Sequence, residues 1–162
     1  MKKIYIVTHG IAEENKPDPP LSEKGKEQME RLKEFLPPKF NLTVSGAGIR
    51  HQKSFGILLG KKPNRKSASM GVPEVLSANR KEMIFPDGKK VSIKEYAKTR
   101  LPLLLKEASS FLKEEIFKKE GEEALIVGGR IAVIALGVRN AKSGVLYIFD
   151  ENQKLIETHE GN

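Results

Sequence analysis

Lys3-Ile4-Tyr5-Ile6-Val7-Thr8-His9-Gly10 sets an unbroken apolar run directly against a polar, flexible stop. Ile4, Tyr5, Ile6 and Val7 are β-branched or aromatic, and no polar residue alternates with them. Such a run reads as a strand buried on both faces, as in a parallel sheet covered by helices. Open α/β sheets build their ligand sites beyond the carboxyl ends of such strands. His9 is therefore the first residue to consider for chemistry, and Gly10 lets backbone pass close by or turn sharply. This stretch alone does not separate a reactive histidine from one merely hydrogen-bonded in its loop.

Two further segments repeat the pattern. Phe40–Val44 reads as a strand and runs into Ser45-Gly46-Ala47-Gly48, after which Ile49–Leu59 reads as a helix. Ala124–Val127 reads as a buried strand and ends in Gly128-Gly129-Arg130, followed by a short apolar helix over Ile131–Leu136. A small-residue loop entering a helix suits an anion, because the backbone can approach it and the helix start favours negative charge. Arg50 falls in the first turn of that helix. If the three strands are parallel neighbours, their loops meet at one sheet edge. His9, Arg50 and Arg130 then converge on Gly-rich backbone, a combination suited to phosphate.

The rest of the chain fits around this frame. Ser22 is an N-cap for a helix carrying Met29, Leu32 and Leu36 on one face, stopped by Pro37-Pro38. Val72–Leu76 reads as a short strand, and Ser77–Gly88 shows no period. Ser92 caps a long helical stretch to about Lys119, interrupted or kinked at Pro102. A turn is expected at Glu120-Gly121-Glu122-Glu123. Val145–Phe149 and Lys154–Glu157 read as a closing hairpin. The whole predicts an α/β fold: three layers, α/β/α, around a mostly parallel central sheet with an antiparallel edge hairpin at the C-terminus.

The bulk numbers narrow the function classes. With 162 residues, one domain spanning 1–162 is the simplest organisation. The absence of cysteine removes disulfides, thiolate nucleophiles and cysteine-based zinc sites. No apolar run reaches membrane-spanning length, so a cytoplasmic protein with no membrane association is expected. The formal net charge of +8 comes from dispersed Lys and Arg, with local clusters at Lys61–Lys66 and Lys89-Lys90. No aromatic residues interleave with them for base stacking, so a solvated basic surface is preferred over nucleic-acid binding.

The motifs together resemble the histidine phosphatase superfamily, also called phosphoglycerate mutase-like, in its compact phosphohistidine-phosphatase branch. That family opens Arg-His-Gly with a nearby Asn; here stand Thr8-His9-Gly10 and Asn15. Its Pro-Leu-Thr-x-x-Gly-x-x-Gln helix start is matched by Pro20-Leu21-Ser22-Glu23-Lys24-Gly25-Lys26-Glu27-Gln28, the most specific match. Its Ser-Ser-Pro-Leu-x-Arg is Ser45-Gly46-Ala47-Gly48-Ile49-Arg50 here, and its terminal Ser-His-Gly is replaced by Gly128-Gly129-Arg130. The resemblance implies that His9 is the phosphoryl-accepting nucleophile and Arg50 a phosphate clamp. It implies a phosphate pocket that also includes Thr8, Gly10, Asn15, Gly129 and Arg130, with no metal and no cofactor.

Two core positions depart from the pattern. Thr8 stands for an Arg and Gly129 for a His, and the general-acid position aligns with Ala78, with Glu74 and Glu82 near but out of register. Losing one preorganised charge-stabilising donor costs about 10²–10³ in rate. Three readings follow. The first is a catalytically impaired member that binds a phosphorylated small molecule or phosphoprotein. The second is an active phosphatase working through phospho-His9, with Arg130 or His51 standing in for a lost group. The third is a binder of nucleic acid or an anionic surface through the basic clusters.

Overall fold

The computed structural model describes residues 2–119, 121 and 123–162. Nine strands are present among them: β1 (Lys3–Thr8), β2 (Leu42–Ser45), β3 (Arg65–Lys66), β4 (Val75–Leu76), β5 (Glu82–Ile84), β6 (Lys90–Ser92), β7 (Glu123–Gly128), β8 (Val145–Asp150) and β9 (Leu155–Glu160). Five α-helices accompany them: α1 (Glu23–Leu32), α2 (Ile49–Leu59), α3 (Ile93–Thr99), α4 (Leu101–Phe111) and α5 (Arg130–Ile134). The main sheet runs β3-β2-β7-β1-β8-β9. Its β3, β2, β7 and β1 are mutually parallel, and β8 and β9 form the antiparallel edge hairpin.

Alternation along β1 explains the layers. Ile4 and Ile6 face one side, with Ala108 and Phe111 of α4 and Ala132 and Val133 of α5. Tyr5 and Val7 face the other, with Met29 and Leu32 of α1 and Phe55 and Leu58 of α2. Both faces are dry, so the strand needs no polar residue, and each fully buried aliphatic side chain contributes roughly 1.5–3 kcal/mol. The register sets Thr8 beside Gly128 and Ser45 beside Val127. The loops after β1, β2 and β7 therefore leave from one edge, as expected.

Capping follows chemistry. Gly25 N–H donates to Ser22 Oγ (3.1 Å) and Glu95 N–H to Ser92 Oγ (3.2 Å), closing the starts of α1 and α3. The long helical stretch divides at Arg100. Pro102 sits in the first turn of α4, where its missing N–H is harmless, and the helix runs out through a π turn over Leu112–Phe117. In the second, small sheet, β4-β5-β6, β4 falls within the strand expected at Val72–Leu76, while sequence periodicity misses β5 and β6. Its strands have two or three residues each, too short to show a period. The turn expected at Glu120–Glu123 rests on Glu120 and Glu122, which lie outside the described residues.

No helix among the described residues is long and apolar enough to cross a membrane. Among them, too, no group of three His, Asp or Glu residues stands close enough to hold a metal ion.

Candidate functional site

A cleft of ≈ 550 Å³ opens where the three loops meet, with His9, Arg50, His51, Gly129 and Arg130 among its lining residues. Its further walls are largely apolar: Leu76 and Met83 from the small sheet, Ile93 from α3, and Ile131 and Ile134 from α5.

His9 leaves the end of β1 with its protonation state fixed by its partners. Nδ1 lies 2.7 Å from Gly10 O, and a carbonyl only accepts, so Nδ1 carries the proton. Nε2 then bears the lone pair, and it accepts from Arg50 Nε at 3.1 Å. Burial, followed by the Arg50 charge, pulls the imidazole down to about 3, with Arg130 adding to the fall and the Gly10 bond opposing it. At neutral pH His9 is an uncharged imidazole with a defined basic nitrogen, which is what a nucleophile requires.

Arg50 is buried, and most of its donors are already used. Nη2 donates to Val72 O (3.1 Å) and Glu74 O (2.8 Å), and Nη1 to Pro73 O (3.4 Å). The 72–74 segment thus wraps the guanidinium in carbonyls, while burial lowers its pKa to about 10. The start of α2 is occupied as well. Ile49 N–H donates to Asp18 Oδ1 at 2.9 Å, so the anion that the loop-to-helix junction attracts is the chain's own carboxylate.

His51 is fully buried beside Arg50. Gly48 N–H donates to its Nδ1 at 2.9 Å, so Nδ1 holds the lone pair and Nε2 the proton. Nε2 has no hydrogen-bond partner among the described residues. The His9 and His51 rings stand edge to face, 5.0 Å apart between centroids. Burial, Arg50 and His9 together hold His51 well below its usual pKa. The sequence indicates the residue through its place beside Arg50, but gives no sign that its ring turns inward rather than out to solvent.

The remaining expected residues divide. Arg130 is exposed on the cleft wall at the start of α5, and its charge reaches both His9 and Arg50. Gly129 lines the cleft, with its N–H given to Met70 O at 2.9 Å. Gly10 is packed backbone: its N–H donates to Ser54 Oγ (3.2 Å), and a Cβ there would stand 2.4 Å from Gly25 O. Thr8 turns away from the cleft. Its hydroxyl donates to Lys142 O (2.6 Å) and accepts from Val145 N–H (3.1 Å), fastening β1 to the segment before β8. Asn15 is a loop fastener, its Oδ1 accepting from Ala78 N–H at 3.0 Å. Glu74 is buried, with its carboxylate ion-paired to Arg100 Nε, and Ala78 carries no acid group.

This is a phosphoglycerate mutase-like fold. Solved structures place it there: phosphoglycerate mutase from Thermus thermophilus is similar at 18% identity with a TM-score of 0.63, covering 96% of this chain and 97% of that one. A protein of Escherichia coli K-12 provisionally assigned as an alpha-ribazole-5'-P phosphatase is similar at 12% identity and a TM-score of 0.63, covering 93% of this chain and 91% of that one. A further Thermus thermophilus protein matches at 17% identity and a TM-score of 0.64, covering 98% of this chain and 99% of that one. No protein-family profile and no curated protein sequence matches this chain.

Proposed function

We propose that the cleft binds the phosphoryl group of a phosphorylated small molecule or phosphoprotein against His9, and that turnover there is slow. The observation that carries this reading is the 3.1 Å bond from Arg50 Nε to His9 Nε2. It sets a guanidinium donor and a basic nitrogen at one point on the cleft floor, where a phosphoryl oxygen and phosphorus would sit. The same bond ties up the lone pair that would attack. The other guanidinium bonds go to Val72, Pro73 and Glu74 carbonyls, leaving little of a bidentate clamp. Position 8 adds no cation to the cleft and position 129 no imidazole. Glu74, held by Arg100, is poorly placed to protonate a leaving group. Apolar walls around this basic floor favour a ligand with an apolar body behind its phosphate.

A second reading, an active phosphatase, is favoured by the His9 tautomer. Nε2 would bond to phosphorus, the ester oxygen would depart and take a proton from water, and water would then cleave the P–N bond. Calorimetric titration with inorganic phosphate, beside hydrolysis of p-nitrophenyl phosphate, tests both. Binding that drops at least about tenfold in Arg50→Ala, as expected for loss of a charged hydrogen bond, with turnover near background, supports the first reading. Fast turnover abolished by His9→Ala, with phosphohistidine trapped by rapid quench, establishes the second in its place. Failure of phosphate to bind at all would sink both.

A further inference from the structure

We propose that the Nε2–H of His51 is the donor that holds a phosphoryl oxygen beside His9, in the space that a side chain at position 129 would otherwise fill. This rests on the phosphoryl-site reading above.

The first support is an unbalanced donor. Gly48 N–H fixes the tautomer of His51, which leaves the Nε2–H buried and without a partner. A buried, unsatisfied N–H is costly, and native chains keep such groups where they serve another purpose. Helix capping accounts for Nδ1 only. A Glu at this third helical position would cap the same backbone N–H without burying an extra donor.

The second support is the seat. A Cβ at Gly46 would stand 2.8 Å from the His51 ring, one at Gly48 2.8 Å from Nδ1, and one at Gly71 2.7 Å from Nε2. Three glycines on two backbone segments are therefore stripped of side chains around one imidazole. At Gly129 a Cβ would lie 3.7 Å from Nε2, in ordinary contact, so the ring borders the space next to position 129. The third support is position. Gly129 follows the residue paired with Thr8 across the sheet, and the two imidazoles meet edge to face. With the ring centroids 5.0 Å apart, the proposal sets an oxygen carried by phosphorus at His9 Nε2 against the His51 ring. Burial and the neighbouring Arg50 charge keep both histidines uncharged, so His51 acts as a neutral donor.

The test is NMR of protein labelled with ¹⁵N in its imidazoles, titrated with inorganic phosphate. The proposal expects the His51 Nε2–H resonance to move downfield together with the His9 signals. Phosphate that moves His9 and leaves the His51 Nε2–H in place overturns the proposal and leaves the phosphoryl-site reading standing. No perturbation at either histidine overturns both. Variants give an independent arm. His51→Leu should weaken phosphate binding about 10- to 100-fold, the worth of a hydrogen bond to a charged group. His51→Gln, which keeps an N–H near the same point, should retain most of the affinity. Adding Gly129→His to His51→Leu should restore binding, whereas Gly129→His alone should not improve it. Equal affinity in wild type and His51→Leu overturns the proposal. If His51→Leu fails to fold, the NMR result on the wild-type protein decides.

Discussion

The two sides of the cleft are held in place by different means. On the β1–α1 side, backbone packs against backbone. Gly10 lies against Gly25, and Gly25 against Ile11, closely enough that a Cβ at Gly25 would stand 2.2 Å from Ile11 O. Buried Gln28 accepts from Ile11 N–H (2.9 Å) and donates to Asn162 Oδ1 (2.8 Å). On the β7–α2 side, glycines instead clear room for one side chain, His51. The first arrangement fixes where His9 stands. The second is just as tight at Gly128, where a Cβ would stand 2.2 Å from Met70 O, but it opens at Gly129, where a Cβ would meet nothing closer than 3.7 Å.

The largest effect expected from this difference is on stability. Gly25→Ala should destabilise the fold by about 3 kcal/mol, since the obstructing atoms are backbone and cannot rotate aside; chemical denaturation measures it. A loss below about 1 kcal/mol, the ordinary cost of a point substitution, would dissolve the contrast between the two sides.

Acid comes next. The folded pKa values of His9 and His51 are depressed, so below the ordinary histidine value of about 6.5 the unfolded chain binds protons that the folded chain does not. Stability is therefore unaffected above that value and falls as pH drops below it, by about 1 kcal/mol per pH unit for each histidine. For His9 the fall continues to about pH 3. Denaturation midpoints taken from neutral pH down into the acid range check this, and His51→Gln should flatten the profile. An unchanged profile would mean that His51 titrates normally.

The smallest effect is at the missing imidazole. Gly129→Ala should change stability by less than about 0.5 kcal/mol. Its φ of −94° suits any residue, and a Cβ there meets nothing closer than 3.7 Å. Thermal melts of Gly129→Ala beside Gly25→Ala would set the two sides against each other directly.

Much of this fold is legible in the sequence because buried strands write themselves plainly. Ile4–Val7 and Leu125–Val127 leave few alternatives, and Ser22 and Ser92 mark their helices by a chemical rule. The Pro20–Gln28 motif is read through its resemblance to the family pattern, and the structure shows what it serves: Gly25 and Gln28 answer to fixed backbone geometry. Of the small β4-β5-β6 sheet only β4 is legible, inside the Val72–Leu76 strand; β5 and β6 are not, since three-residue strands carry no period. The site is half legible. Strand ends place His9, Gly129 and Arg130 at one edge. Side-chain direction does not follow from spacing, so nothing in the sequence tells that Thr8 turns toward Lys142 O or that His51 turns inward. Nor does a helix start reveal that Asp18, from a distant loop, already occupies it.

That Asp18 contact has a consequence for how a ligand enters. The segment between β1 and α1 is pinned at Asn15 to Ala78 N–H, at Asp18 to Ile49 N–H, and through the bridge of Ala12 to Leu21. One rim of the cleft is therefore tied at Asn15 to the loop after β4 and at Asp18 to the start of α2. A ligand of the cleft would have to fit past this tied rim, and little ordering entropy would be lost there.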